Sequence, residues 1–118
     1  MKAKLKRIYS PDVDFDSFWP EDTENFGFLL QAMIGPEGED GEESFGIQVC
    51  TPEWLKSRYS ENDVLFGRHM MIVFDYDIDR IKSHIVKYCD RCVGDNWSDI
   101  ASKLSRIGLW EFEDYSPA

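Results

Sequence analysis

The order in which two hydrophobic periods occur constrains this chain more than any other feature. Residues 2–9 and 44–50 alternate apolar with polar, and residues 26–34 form a strongly apolar run between them. The helical period appears only later, first over residues 77–92 and then from residue 95 to Gly108. Strands first and helices afterwards predict an α+β fold, a mostly antiparallel sheet of about five strands with two longer helices packed on one face. A length of 118 residues fits one domain, 1–118, without visible linker or repeat. Such a chain buries roughly two thirds of its unfolded surface, and four Trp, five Tyr and eight Phe supply the apolar area that a disordered chain lacks.

Local signals place the elements. In residues 2–9, Ala3, Leu5 and Tyr9 point one way and Lys2, Lys4 and Lys6 the other, a half-exposed strand with a basic outer face. Ser10-Pro11-Asp12 breaks it. Residues 10–25 are then long for a loop, and Trp19-Pro20-Glu21-Asp22 reads as one short helical turn with Pro20 near its start. Gly35-Pro36 ends the second strand and a Gly-rich acidic hairpin tip follows. The third strand turns Phe45, Ile47 and Val49 to one face. Thr51-Pro52-Glu53 opens a short helix reaching Tyr59, because Thr caps, Pro suits the first turn and the acid faces the positive helix end. His69 to Tyr76 is apolar on both faces and predicts a central strand. Ile78, Ile81, Ile85, Tyr88, Cys89 and Cys92 mark the clearest amphipathic helix, stopped by Gly94. Asp95 or Asn96 caps the next, with Trp97, Ile100, Ala101 and Leu104 on its apolar side and Gly108 as its end. In the closing strand alternation sends Trp110 and Phe112 inward and Glu111 and Glu113 outward.

Acid is distributed unevenly over this plan. Residues 10–25 carry Asp12, Asp14, Asp16, Glu21, Asp22 and Glu24 with no Lys or Arg, and residues 35–43 carry Glu37, Glu39, Asp40, Glu42 and Glu43, again without a base. Acid not interleaved with base repels itself and attracts positive charge. With a net charge of −10, nucleic acid and anionic membrane are poor partners, since both need Lys and Arg against phosphate. In an antiparallel meander the two acidic segments lie at opposite ends of the sheet, about 30 Å apart at ~3.4 Å per residue. Residues 10–25 are the favoured docking segment because they also hold Phe15, Phe18 and Trp19, and buried aromatics hold an encounter that charge has steered. Trp19 reads two ways, as a lid over the core or as a partner contact. Glu53, Glu111 and Glu113 extend the acidic candidates, and the tip 35–43 has no aromatic anchor.

Signatures of chemistry fail on inspection. Asp12-x-Asp14-x-Asp16 has the start of a calcium loop, but Ser17 and Thr23 stand where Gly and Glu are required. Asp75-x-Asp77-x-Asp79 fails likewise at Arg80 and Val86. Cys89-Asp90-Arg91-Cys92 lacks a second ligand pair and falls on an apolar helix stripe, so inert buried thiols are expected there and no metal. His69 and His84 are the only histidines, with no triad order, phosphate loop or dinucleotide fingerprint around them. No enzyme activity and no cofactor are expected. Three cysteines, a basic start without an apolar run behind it and no membrane-length stretch predict a reduced, cytoplasmic protein.

Asn25-Phe26-Gly27-Phe28-Leu29-Leu30, Cys50-Thr51-Pro52-Glu53-Trp54-Leu55 and Arg106 to Tyr115, ending Trp-Glu-Phe-Glu-Asp-Tyr, resemble the immunity protein 8 family over nearly the full length. The resemblance implies a bacterial cytoplasmic protein, encoded beside a polymorphic or contact-dependent toxin, that binds the toxin's effector domain and blocks it. It implies no enzymatic activity and carries over no binding residues. Charge and aromatics therefore supply the candidate site, and they favour a basic toxin, plausibly a nuclease. The alternative is an acidic DNA mimic or regulatory adaptor that binds another basic protein.

Overall fold

The computed structural model describes residues 1–114. Three long strands form an antiparallel meander: β1 (Ala3–Tyr9), β2 (Gly27–Pro36) and β3 (Glu43–Cys50). β1 pairs with β2 from Ala3↔Pro36 to Tyr9↔Gln31, and β2 with β3 from Gly27↔Cys50 to Ile34↔Glu43. The far side of β3 is shared end to end. β4 (Met70–Ile72) lies parallel to its second half, Gln48↔Met70 to Cys50↔Ile72, and β5 (Leu109–Trp110) lies antiparallel to its first, Phe45↔Trp110. Between strands run α1 (Pro52–Arg58), α2 (Ile78–Arg91) and α3 (Trp97–Leu104). The α+β arrangement and the mostly antiparallel sheet are as the sequence predicts.

One face of the sheet makes the core. Phe28, Leu30, Ala32 and Ile34 of β2 and Phe45, Ile47 and Val49 of β3 are buried at every second position, as a half-covered strand requires. The two longer helices bury complementary stripes on this face, Ile81, Ile85 and Cys89 from α2 and Ile100, Ala101 and Leu104 from α3. Each starts at a side chain that accepts an otherwise unpaired amide. Asp77 accepts from the Arg80 N–H and Asn96 from the Asp99 N–H. The short α1 lies on the other face: Gly27 shares its parity with Leu29 and Gln31, and a Cβ there would run into the Trp54 indole.

Several local expectations give way to specific causes. A β-bulge between Leu5 and Arg7 inserts one residue and reverses the parity of β1, so Ile8 packs against the core and Tyr9 is exposed. Residues 19–22 make no helical turn; the loop is shaped by turns at Asp14 and Asp22 instead. The apolar run at 69–76 is not a central strand. Only Met70–Ile72 pair, on one side, and Phe74 is 74 % exposed. α3 ends at Leu104, capped by Ser105, so Gly108 does not terminate it; a Cβ on Gly108 would sit 2.9 Å from that of Phe45, and the missing side chain admits β5 to the sheet. After Trp110 the chain turns, which leaves Phe112 exposed and Glu113 half-buried, the reverse of strand alternation. Tyr115, the last residue of the quoted closing motif, lies outside the described residues.

Candidate functional site

Residues 10–25 cross the end of the sheet where β1 stops and β2 starts. Local polar contacts shape them. The Ser10 hydroxyl accepts from the Asp12 and Val13 N–H groups (3.1 and 3.3 Å), Asp14 Oδ1 from the Asp16 N–H (3.0 Å) and Asp22 Oδ1 from the Glu24 N–H (2.9 Å). Short polar side chains hold turns in this way because they replace a backbone acceptor two residues on. Asp12 also reaches the sheet. Its Oδ2 accepts from the Leu29 N–H at 2.8 Å, two residues beyond the last β1–β2 pair at Tyr9↔Gln31, so the side chain continues the ladder that β1 abandons.

Beneath the acids lies an aromatic cluster. Phe15 and Phe18 meet Phe28 edge to face at 5.4 and 5.8 Å, Phe26 stacks on Phe28, and Phe18 meets Tyr76 at 5.2 Å. The Tyr76 N–H donates to the Thr23 carbonyl at 2.9 Å, tying the loop to the segment before α2. Phe15 and Phe18 are thus half-buried covers of the core. Trp19 stands outside them, edge-on to Tyr76 at 5.4 Å and 69 % exposed. Beneath it the Tyr76 hydroxyl is buried without a hydrogen-bond partner among the described residues.

The two acidic segments differ in how they are neutralised. At the β2–β3 hairpin, Glu37 pairs with Lys2 (3.8 Å) and Glu42 with Arg7 (2.7 Å), Lys6 Nζ donates to the Glu39 carbonyl, and Glu43 accepts from the indole N–H groups of Trp97 and Trp110. Lys2, Lys6 and Arg7 of the N-terminal segment thus all reach this hairpin. Among the described residues, none of Asp12, Asp14, Asp16, Glu21, Asp22 and Glu24 has an ion-pair partner.

The remaining candidates divide between the ends of the sheet. Glu53 lies at the loop end, next to Thr51 and Pro52, since the Thr51 hydroxyl accepts from the Phe26 N–H; it pairs with Lys56 at 3.4 Å. Glu111 and Glu113 are not brought to this surface. Glu111 accepts from the Ser44 N–H and Glu113 pairs with Arg68 at 2.5 Å. They flank β5, whose partner Phe45 is five residues from Cys50 along β3, about 17 Å at ~3.3 Å per residue. Sequence reasoning passed over Ile72, Phe74 and Asp75, exposed on the segment that leads to Tyr76. Their apolar run signals burial as readily as an open edge, and only the pairing distinguishes the two.

The thiols are buried and unpaired. Burial pushes Cys50 and Cys92 above the ordinary value, and burial with the neighbouring Cys92 and Asp90 takes Cys89 up to about 12. Their protonated form suits neither a nucleophile nor a metal ligand. Among the described residues no helix is long and apolar enough to cross a membrane.

The model of the family described as immunity protein 8 matches residues 3–115. The chain belongs to that family. The match spans all five strands and three helices together with the acidic loop. Comparison with curated proteins and with solved structures gives no match. Membership in the family makes this an immunity protein, whose partner is a cognate toxin.

Proposed function

We propose that this immunity protein neutralises its toxin stoichiometrically and without catalysis, by laying the end of the sheet formed by residues 10–25 over a basic face of the toxin's effector domain, a nuclease. One observation carries the reading: none of the acids of residues 10–25 has an ion-pair partner among the described residues, whereas at the hairpin tip Glu37 and Glu42 pair with bases of the N-terminal segment and Glu43 is held by two indoles. Unmatched charge is what steers a complementary partner. Trp19 supplies the anchor, a large exposed ring braced by Tyr76. Asp14, Asp16, Glu21, Asp22 and Glu24 are acids of the same loop, Glu53 adds to the rim, and Asp12, Phe15 and Phe18 hold the loop in shape. Glu111 and Glu113 play no part in this surface.

With neighbouring residues the loop approaches the ~20–30 residues per side of a standard interface. Complementary charge can carry association towards 10⁸–10⁹ M⁻¹s⁻¹ at low salt, roughly a hundredfold or more above a neutral pair. That speed suits a protein that must reach its toxin before damage is done.

Co-expression with the toxin domain encoded beside it tests the reading. Survival of the cells and a copurified one-to-one complex are expected. Toxicity unrelieved by the protein, with no complex on purification, would end the proposal.

A further inference from the structure

The two margins of the sheet are built differently. β1 is closed against further pairing. Its start is covered where Ala3 donates to the Cys92 carbonyl and Lys2 bridges Val93, its middle carries the bulge, and Lys4, Lys6 and Arg7 stand along it. Covering segments, bulges and charges are the means by which sheet edges avoid foreign strands. β4 and the residues after it, Met70 to Phe74, include no charged residue, and no strand pairs with the outer side of β4 among the described residues. The Gln48 N–H donates to the His69 carbonyl and the Val73 N–H to the Cys50 carbonyl, both at 2.9 Å. Alternate residues of a parallel strand serve one neighbour, so His69, Met71 and Val73 face β3 while Ile72 turns its peptide groups outward.

Beside this edge runs a groove between β4 and α2. It consists of two clefts, of about 440 and 370 Å³, that share Met71 and His84. Its ends have opposite charge. Asp75 and Asp77 line one end, at the start of α2 and next to the Tyr76–Trp19 contact; the single base there, Arg80, lies 3.9 Å from Asp77. Arg68, Lys87, Arg91 and Arg106 line the other. Among the described residues Lys87, Arg91 and Arg106 have no ion-pair partner, although the chain as a whole carries −10. Between the ends the walls are apolar, from Met71, Val73 and Ile81.

We propose that an extended segment of the toxin adds to β4 in this groove. It places a basic side chain at the Asp75–Asp77 end, an acidic one at the Arg68–Arg106 end, and apolar side chains between. Strand addition draws affinity from the outward peptide groups of β4 and specificity from pockets for alternate side chains, and the opposed charges fix the direction in which the segment lies. At ~3.3 Å per residue a segment of about six residues spans the edge. This deepens the toxin-binding reading and rests on it. The acidic loop steers the toxin, and the groove, whose Asp75–Asp77 end flanks the Tyr76 that Trp19 contacts, grips a strand of it.

The test uses the full chain and the toxin domain encoded beside it, with binding kinetics and amide hydrogen exchange. Lys87→Glu with Arg106→Glu should weaken the complex at least tenfold, mainly through faster dissociation. Lys4→Glu with Lys82→Glu, the same charge change at residues that line neither cleft, should leave the dissociation rate within about twofold. Exchange at Ile72 should slow on complex formation, a readout that needs no variant. If the groove variant binds like wild type and Ile72 exchanges unchanged while neutralisation of the 10–25 acids still slows association, the groove is excluded and toxin binding by the loop stands. If wild type forms no complex at all, the toxin-binding reading falls and takes this inference with it.

Discussion

Trp19 and Phe28 belong to one aromatic cluster but stand in different solvents. Phe28 is 1 % exposed and Trp19 is 69 % exposed. Replacing Phe28 by Ala should cost about 3–5 kcal/mol in urea denaturation, because lost transfer energy and a residual cavity add. Trp19→Ala should stay within about 0.5 kcal/mol of wild type while the toxin complex dissociates faster; a variant that unfolds early and dissociates normally would make Trp19 a core lid. Cys89 yields a pH prediction. Its thiol keeps a proton to about 12 in the fold, against an ordinary 9.0. Folded and unfolded chains bind that proton equally below 9.0, so the stabilisation is fully present there and is lost as pH rises through the interval to about 12. Cys50 and Cys92 shift in the same direction. Thermal melts should therefore decline above about pH 9, and Cys89→Ala should flatten the decline; an identical slope in the variant would remove Cys89 from the account.

At the scale of elements, Thr51 joins three of them. It is fully buried, follows β3, caps α1 by accepting from the Trp54 N–H at 3.2 Å, and accepts from the Phe26 N–H just before β2, also at 3.2 Å. Thr51→Val keeps the shape and leaves both amides without that acceptor. A cost of about 1–3 kcal/mol follows, the penalty for a buried unsatisfied group plus a lost cap. The measurement is the denaturant midpoint at unchanged slope. A neutral result would mean that water or a shifted backbone takes over both amides. The same joint fixes where the acidic loop returns to the sheet, so the variant should also loosen residues 10–25, seen as faster amide exchange at Phe26.

Over the whole molecule, charge is sorted by end. Lys2 and Arg7 pair with Glu37 and Glu42 of the β2–β3 hairpin at one end, and the loop at the other has no ion pair among the described residues. Neutralising Asp12, Asp14 and Asp16 to Asn preserves side-chain oxygens that can accept from the Leu29 and Asp16 N–H groups. The triple variant should keep its melting temperature, associate with the toxin more slowly and lose much of its salt dependence. Association rates measured across a salt series decide this, and unchanged rates would place the docking surface elsewhere.

The sequence by itself determined what depends on local period and local chemistry. The meander, the two amphipathic helices, the Thr51 cap and the buried thiols follow from spacing and residue type, because the side chains of a strand or helix repeat whatever the rest of the chain does. The segregation of acid into residues 10–25 and 35–43 was equally plain. Tertiary structure alone decided which acid is free, since Lys2 and Arg7 meet Glu37 and Glu42 only when β1 and β2 pair. It decided the parity of Ile8 and Tyr9, because one bulged residue reverses every side chain after it. It also turned an apolar run at 69–76 into an open edge. Hydrophobic period records that a segment meets apolar surroundings, and it is silent on whether those lie within the chain or on a partner.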